Sequence, residues 1–269
     1  MGYFTLARKV DPKHKTNRWI LIMTITLLIV RGLLTNDWGE SLVFSGGFFL
    51  SWALAREIDP LHEKSAFAAA FIYLFMGFWI ADLSLSVVLW IVLLLRGITK
   101  IIGKTPTVID LLGLMGLGIY LSFSQENGIY GLIFTLAMVI GYKRFANDGK
   151  FKVFSGMGIL LSVWGISSYS VALREEVLGS FSFPAIILLL GLVIGTIYGK
   201  MLQKDDGIRD DQGNLMETEY ILWSYTFFLG TYVLLIAGTT LEEGTLSLFF
   251  AVILGVFLYR VWLMISKDS

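Results

Sequence analysis

Ten stretches of apolar residues, separated by short polar segments, dominate the hydrophobic pattern of the chain. They span residues 19–35, 41–55, 67–82, 84–98, 108–123, 128–142, 153–171, 181–199, 219–239 and 245–265. A helix that crosses a bilayer needs about 20 apolar residues, and about 17 suffice in some cases. We therefore predict an all-α fold, a polytopic transmembrane helical bundle of about ten helices built from helical hairpins.

Two pairs of neighbouring runs leave the number of crossings open at eight or ten. The runs 67–82 and 84–98 are divided only by Asp82-Leu83-Ser84, and the runs 108–123 and 128–142 only by residues 124–127. A helix of 16 residues is about 24 Å long, which is shorter than the hydrocarbon layer of about 30 Å. Either pair could therefore form a re-entrant hairpin instead of two crossings.

The amino-acid composition supports a membrane protein and excludes several other classes. The 269 residues are 56% hydrophobic and only 16% charged, whereas soluble domains are about 45–50% apolar and about 25% charged. The formal net charge is zero, which argues against a strongly basic nucleic-acid-binding protein. The chain has no cysteine, so disulfides, thiolate metal sites and a cysteine nucleophile are excluded.

The distribution of Lys and Arg predicts the orientation of the bundle. If ten helices alternate from a cytoplasmic N-terminus, all but two of the 21 basic residues lie on the cytoplasmic side, the exceptions being Arg31 and Arg174. Cytoplasmic loops are enriched in Lys and Arg. We therefore predict one integral domain, residues 1–269, in the plasma or inner membrane. Both termini are expected in the cytoplasm, where residues 200–218 form the longest loop.

The positions of the tryptophans fit the same orientation. Most of them lie close to the predicted ends of apolar runs, where an indole ring can sit at the level of the lipid headgroups. We predict that these residues form interfacial belts and not a cofactor site: Trp19, Trp38, Trp79, Trp164, Trp223 and Trp262.

An internal repeat lies within residues 1–98, the first two predicted hairpins. Residues Leu6–His14 read LARKVDPKH and residues Leu54–His62 read LAREIDPLH, so six of nine positions are identical at an offset of 48 residues. Each copy precedes an outward-going helix on the predicted cytoplasmic side. The copies contain His14 and His62, the two histidines of the chain.

The Asp and His residues of the repeat allow two interpretations. An Asp-Pro pair can cap the start of the next helix, because the carboxylate accepts bonds from free backbone N–H groups. Alternatively, an Asp and a His three residues apart can share one helix face, and two such pairs could bind a divalent metal of the Zn, Mn or Fe kind. The candidate metal ligands are Asp11, His14, Asp59 and His62.

Two arginines of the repeat are candidates for phosphate binding. Arg8 and Arg56 occupy the third position of each copy. At the depth of the lipid headgroups an arginine can bind a phosphate group. We therefore predict that Arg8 and Arg56 contact lipid headgroups or a phosphorylated substrate.

Glycines recur along several of the predicted helices. Gly191, Gly195 and Gly199 form two overlapping GxxxG steps, a pattern that lets two membrane helices pack closely. Glycine-rich helices can also bend or unwind around a substrate, as the broken helices of carriers do. The glycines in the runs 108–123 and 153–171 allow the same two interpretations.

Three classes of function remain open at this stage. A carrier of a small molecule or a lipid fits the compact all-membrane construction. A non-catalytic accessory or scaffold subunit, bound to a membrane protein or to a second copy, fits the lack of a recognisable site. A cytoplasmic-face enzyme acting on a lipid-linked or phosphorylated substrate would use the Asp/His residues of the repeat. We favour a carrier over an enzyme, and the sequence assigns no catalytic residue.

Overall fold

The structure is a computed structural model, and it describes residues 5–6, 10–77, 82–99, 104–145, 148–169, 218–238 and 242–267. Within these ranges the backbone forms nine α-helices and no β-strand. The helices are α1 (Lys15–Thr35), α2 (Trp38–Ile58), α3 (Glu63–Gly77), α4 (Leu85–Thr99), α5 (Val108–Ser124), α6 (Ile129–Arg144), α7 (Gly149–Tyr169), α8 (Thr218–Gly238) and α9 (Glu243–Lys267).

The all-α prediction is confirmed for the described residues, and each helix coincides with one predicted apolar run. The remaining run, 181–199, lies outside the described residues. Three helical segments are long and apolar enough to cross a membrane, namely Lys15–Thr35, Gly149–Tyr169 and Glu243–Ser266. Leu85–Thr99, Val108–Ser124 and Ile221–Ile236 are apolar but shorter. The chain therefore has the helices of a membrane protein by length and composition, while the number of crossings stays a prediction.

The tryptophans divide into exposed and buried ones, and the interfacial belts stay a prediction. Trp19, Trp38, Trp164, Trp223 and Trp262 are all exposed on the helix surfaces. Trp52 and Trp90 are buried, although Trp52 lies only three residues before the end of the run 41–55. The indole N–H of Trp90 donates to the carbonyl oxygen of Leu114 at 2.9 Å. Trp79 lies outside the described residues.

The helices group into two compact units along the chain. Unit 1 takes its described residues from 1–8 and 90–241, and unit 2 from 9–89 and 242–269. Unit 1 therefore contains α5, α6, α7 and α8, whereas unit 2 contains α1, α2, α3 and α9. Helix α4 is shared, because the division falls between Leu89 and Trp90.

Close packing within unit 2 depends on glycines at helix crossings. Gly255 of α9 lies directly against the backbone of Ala69 in α3. The ring of Trp38, at the start of α2, covers Gly32 near the end of α1. A residue without a Cβ lets a neighbouring helix or ring approach more closely than any other residue would. Helix α2 packs against α1, α3 and α9 and is the most enclosed helix of this unit.

One end of unit 2 is basic. The start of α1 meets the start of α3 through His14 and Glu63, whose side chains are 3.8 Å apart. The last turns of α9 meet the α2–α3 turn through Arg260 and Asp59 at 3.0 Å. Four further basic side chains are exposed at this end, namely Lys13, Lys15, Arg18 and Lys64.

The opposite end of unit 2 is mostly acidic. Arg31 of α1 is the basic exception at this end and reaches Glu40 of α2 at 3.7 Å. The backbone N–H of Ser84 donates to the hydroxyl of Thr245 at the start of α9. Partial burial of the carboxylate, together with the neighbouring Asp82 carboxylate, raises the pKa of Glu242 above its usual range. Asp37, Glu40, Asp82, Glu242 and Glu243 are all exposed here.

Unit 1 is also held by polar contacts at its two ends. At one end the Arg144 guanidinium donates to the carbonyl oxygen of Thr99, and the Lys150 amine donates to that of Pro106 at 3.1 Å. These bonds bring together the ends of α4 and α6 and the starts of α5 and α7. At the other end the side-chain amide of Asn127 donates to the last carbonyl of α8. The basic residues therefore gather at one end of this unit as well.

Candidate functional site

The second copy of the repeat forms the most deeply buried polar cluster of unit 2. Asp59 ends α2 as its C-cap residue, and its backbone N–H donates to the carbonyl of Ala55. Its carboxylate is fully buried, with Oδ1 accepting from Nδ1 of His62 at 3.1 Å and from Nη2 of Arg260 at 3.0 Å. We call Asp59, His62 and Arg260 the Asp59 cluster. It ties the α2–α3 turn to the last part of α9.

The Asp59 cluster keeps a negative charge inside the protein. Burial by itself raises the pKa of Asp59, because it removes the charged form from water. The hydrogen bond from His62 and the positive charge of Arg260 outweigh burial, so the pKa of Asp59 lies below its usual range. Asp59 is therefore ionised at neutral pH and forms a buried ion pair with Arg260. The ring of Tyr259 lies beside His62, with the ring centres 5.7 Å apart.

A second polar group lies next to this cluster and joins the two copies of the repeat. Nη2 of Arg56 lies 3.5 Å from Oε1 of Glu63, and Nε2 of His14 approaches the same oxygen at 3.8 Å. Nη1 of Arg56 donates to the carbonyl of Pro60 at 3.3 Å. The copies thus meet through Glu63, a residue just outside the repeat, and not through Asp11 and Asp59.

The first copy has a different local structure. Asp11 is exposed, and its carboxylate accepts the backbone N–H of Lys13 at 2.9 Å. His14 occupies the N-cap position of α1, but its side chain makes no capping bond. Its Nδ1 lies 3.0 Å from the hydroxyl of Thr16. Asp11 therefore stabilises a tight turn before α1 and does not cap the helix itself.

The four predicted metal ligands are not gathered around one point. Within the described part of the chain, no three His, Asp or Glu side chains are placed so that they could hold a metal ion. Asp59 and His62 contact each other, and Asp59 also binds the cation Arg260, which would repel a metal. A divalent metal at Asp11, His14, Asp59 and His62 stays a prediction, and it requires Arg260 to leave Asp59.

Arg56, one of the two predicted phosphate-binding arginines, is engaged within the protein. The Arg56 guanidinium already binds Pro60 and Glu63 and is largely buried. An arginine that is engaged in this way offers less of its donor fork to a phosphate. Arg8 lies outside the described residues. Phosphate binding by Arg8 and Arg56 therefore stays a prediction.

Arg260 is the member of the Asp59 cluster that sequence reasoning missed. In the sequence, Arg260 is one of the basic residues near the predicted cytoplasmic end of the run 245–265. Its position within that run was the available signal, because a charge inside a membrane helix needs a partner. The sequence could not identify the partner, because Asp59 lies 201 residues away.

The glycines of α5 and α7 divide into two groups. A Cβ built on Gly118 would approach the Trp90 ring, and one on Gly158 would collide with Thr135, so these two glycines serve packing. A Cβ on Gly113, Gly116 or Gly156 would meet nothing within 4 Å. Close packing therefore does not explain the second group. Gly191, Gly195 and Gly199 lie outside the described residues.

No protein-family model, curated protein or solved structure gives a significant match to this chain. Function is therefore inferred from the geometry and chemistry of the chain itself.

Proposed function

We propose that the chain is a polytopic integral membrane protein that carries a small molecule or a lipid across the bilayer. Three helical segments of sufficient length and apolarity support membrane insertion. Large apolar side chains on the helix surfaces support it too, such as Leu34, Phe75 and Leu160, each at least 70% exposed. Such side chains are costly in water but find their natural surroundings in lipid.

The proposed orientation has the basic ends of both units in the cytoplasm. Apart from Arg31, the described basic residues of each unit gather at one end, and the opposite ends carry acidic residues such as Asp37, Glu126 and Glu242. Cytoplasmic segments of membrane proteins are enriched in Lys and Arg. In the proposed orientation, His14 and His62 lie in the cytoplasm, and Asp37 and Glu126 lie outside.

The observation that carries the transport proposal is the division into two separately packed helical units. Alternating access in carriers depends largely on rigid-body motion of one helical body relative to another. The chain passes from one unit to the other after residue 8, inside α4 and after residue 241. Two compact helical units with few connections are what such a mechanism needs. Gly116 in α5 and Gly156 in α7, two of the glycine positions with open space, are suitable sites for a test.

The orientation can be tested by labelling single cysteines in a chain that has none of its own. In intact cells, a membrane-impermeant maleimide should label Asp37→Cys and Glu126→Cys, whereas Lys13→Cys and Lys64→Cys should react only after the membrane is opened. All four positions are exposed. Labelling of Lys13→Cys and Lys64→Cys from opposite sides would overturn the proposed topology.

Transport can be tested by the access of a small charged thiol reagent to the middle of the helices. Gly116→Cys and Gly156→Cys should react when the reagent is added from either side of sealed vesicles, because a carrier opens its pathway to both sides in turn. Ile25→Cys on α1 is the matched control, since it is exposed but should face lipid. If the two glycine positions are as unreactive as Ile25→Cys, they line no aqueous pathway, and an accessory subunit becomes the better interpretation.

A further inference from the structure

Helix α1 exposes far more of its surface than its neighbours in unit 2. It packs along α2, and only Ile20 and Gly32 of its 21 residues are buried. Its exposed residues recur every three or four positions and follow one side of the helix from Lys15 to Leu33. This face is about 27 Å long, which is close to the thickness of the hydrocarbon layer.

From the start of α1 onward, the chemistry of this face complements a phospholipid from its headgroup to its acyl chains. It begins with the cations Lys15 and Arg18, which lie three residues apart and so share one side of the helix. Trp19 follows, a residue type that favours the depth of the headgroups. The face then continues with the apolar side chains of Ile22, Ile25, Ile29 and Leu33. Thr26 is the one polar residue among them.

The cations at the start of α1 differ from the other basic residues near them. The side chains of Lys13, Lys15 and Arg18 are exposed and form no ion pair with any described residue. In contrast, Arg56 and Arg260 are turned inward onto protein oxygens. The three cations at the start of α1 are therefore available to an anion outside the protein.

The composition of the face argues against a second protein helix as its occupant. Interfaces between membrane helices favour small residues, and this face carries large branched side chains instead. Gly32, the small residue of α1 that does mediate packing, is covered by Trp38. A second copy paired along the same face in parallel would bring Lys15 and Arg18 against their own counterparts, and like charges repel.

We propose that the exposed face of α1 binds anionic phospholipid of the cytoplasmic leaflet. Lys13, Lys15 and Arg18 hold the headgroup phosphate, Trp19 lies at the glycerol level, and Ile22 and Ile25 pack along the acyl chains. Basic side chains next to a membrane helix attract anionic lipids in this way. This inference rests on the membrane orientation in the proposed function, but it is independent of transport.

The test measures the lipid next to Trp19 in the full-length protein, reconstituted in vesicles of phosphatidylcholine and phosphatidylglycerol. The contribution of Trp19 is the difference in fluorescence between the wild type and Trp19→Phe. Brominated phosphatidylglycerol should quench this contribution at least about threefold more strongly than brominated phosphatidylcholine at equal mole fraction. In the variant Lys13→Gln/Lys15→Gln/Arg18→Gln the two lipids should quench it equally.

A matched variant, Lys104→Gln/Lys143→Gln/Lys152→Gln, removes three exposed charges from unit 1 and should keep the preference. The proposal is overturned if the α1 variant keeps the preference or if the unit 1 variant loses it to the same degree. It is also overturned if neither lipid quenches Trp19, because protein would then cover the face. Failure of the transport test would leave the quenching result unchanged, so the two proposals can fail separately.

Discussion

The two copies of the nonapeptide repeat have almost the same sequence and different structural roles. In Leu54–His62 the aspartate is fully buried and binds both His62 and Arg260. In Leu6–His14 the aspartate is exposed and binds only a backbone N–H two residues away among the bonds that the structure describes. His14 is correspondingly more exposed than His62, at 57% against 21% of the side chain.

This difference shows that the role of an Asp-Pro-x-His segment depends on what packs against it. The second copy meets the C-terminal part of α9, which supplies a cation from the far end of the sequence. The first copy ends at the start of α1, whose outer face is uncovered. The same residues therefore form a buried ion pair in one copy and a surface turn in the other.

The largest expected effect is the loss of stability in Asp59→Ala compared with Asp11→Ala. Removing one partner of a buried ion pair leaves the other charge buried and unpaired, which costs about 3–5 kcal/mol. Asp59→Ala should therefore lower the free energy of unfolding by about that amount, whereas Asp11→Ala should lower it by less than about 1 kcal/mol. Denaturation in mixed detergent micelles measures both.

A double variant separates the ion pair from general packing. Asp59→Leu/Arg260→Met removes both charges, and replacing a buried ion pair by apolar residues is often nearly neutral. It should be clearly more stable than Asp59→Ala. Equal effects of Asp59→Ala and Asp11→Ala would contradict the structural difference between the two copies.

A second comparison concerns two glycines of α7, one packed against a neighbouring backbone and one in open space. Gly165 lies against the backbone of Gly128, the N-cap residue of α6, with 2.7 Å from an added Cβ to the Gly128 Cα, whereas Gly156 faces open space. Gly165→Ala should destabilise unit 1 by about 1–3 kcal/mol, because backbone atoms would have to move apart. Gly156→Ala should be neutral or slightly stabilising, since alanine favours a helix over glycine.

Thermal unfolding of the two glycine variants in the same detergent checks this prediction. If both variants lose the same stability, the close approach of α6 and α7 is not the reason for a glycine at position 165.

The histidines provide a smaller effect that sharpens the comparison of the repeat copies. His62→Ala removes a hydrogen bond to the buried Asp59 carboxylate and should cost about 1 kcal/mol, because His62 is partly exposed. His14→Ala removes contacts at the surface and should cost only a few tenths of a kcal/mol. Side-by-side unfolding curves at neutral pH test this, and a larger loss in His14→Ala would be contrary to the structure.

The smallest expected effect is a pH dependence that comes from Asp59. Its pKa is lower in the folded protein than usual, so ionised Asp59 stabilises the fold above about pH 4, and this contribution is lost as the pH falls through its folded-state pKa. The difference in stability between wild type and Asp59→Asn should be constant near neutral pH. It should shrink as the pH falls through the folded-state pKa of Asp59, and a difference that grows on acidification would refute the assignment.

Much of the helical architecture could be predicted from the hydrophobic pattern alone. Each of the nine described helices coincides with one apolar run, because long apolar runs that contain good helix formers favour a helix. The burial of individual tryptophans did not follow from position along a run, since Trp52 near the end of its run is buried and Trp164 further inside its run is exposed. Local chemistry was predictable at the start of α2, where Asp37 accepts the N–H of Glu40.

The partners of the polar residues could not be predicted in the same way. The repeat suggested that Asp11, His14, Asp59 and His62 act together, because the sequence shows matching spacing and no distances. The contact of Asp59 with Arg260 depends on how α9 packs against α2 and α3. That packing is decided by shape, for example by Gly255 against Ala69, and the sequence does not show shape directly.

The amino-acid sequence by itself determined which segments are helices, which ends are basic, and that much apolar surface would remain exposed. These properties follow from the composition of each segment and need no long-range contact. The tertiary structure alone decided that Asp59 is buried and paired while Asp11 is exposed, and that α1 keeps an open face with three cations at its start. Both outcomes depend on which helices become neighbours, because burial and pairing are properties of the space around a residue.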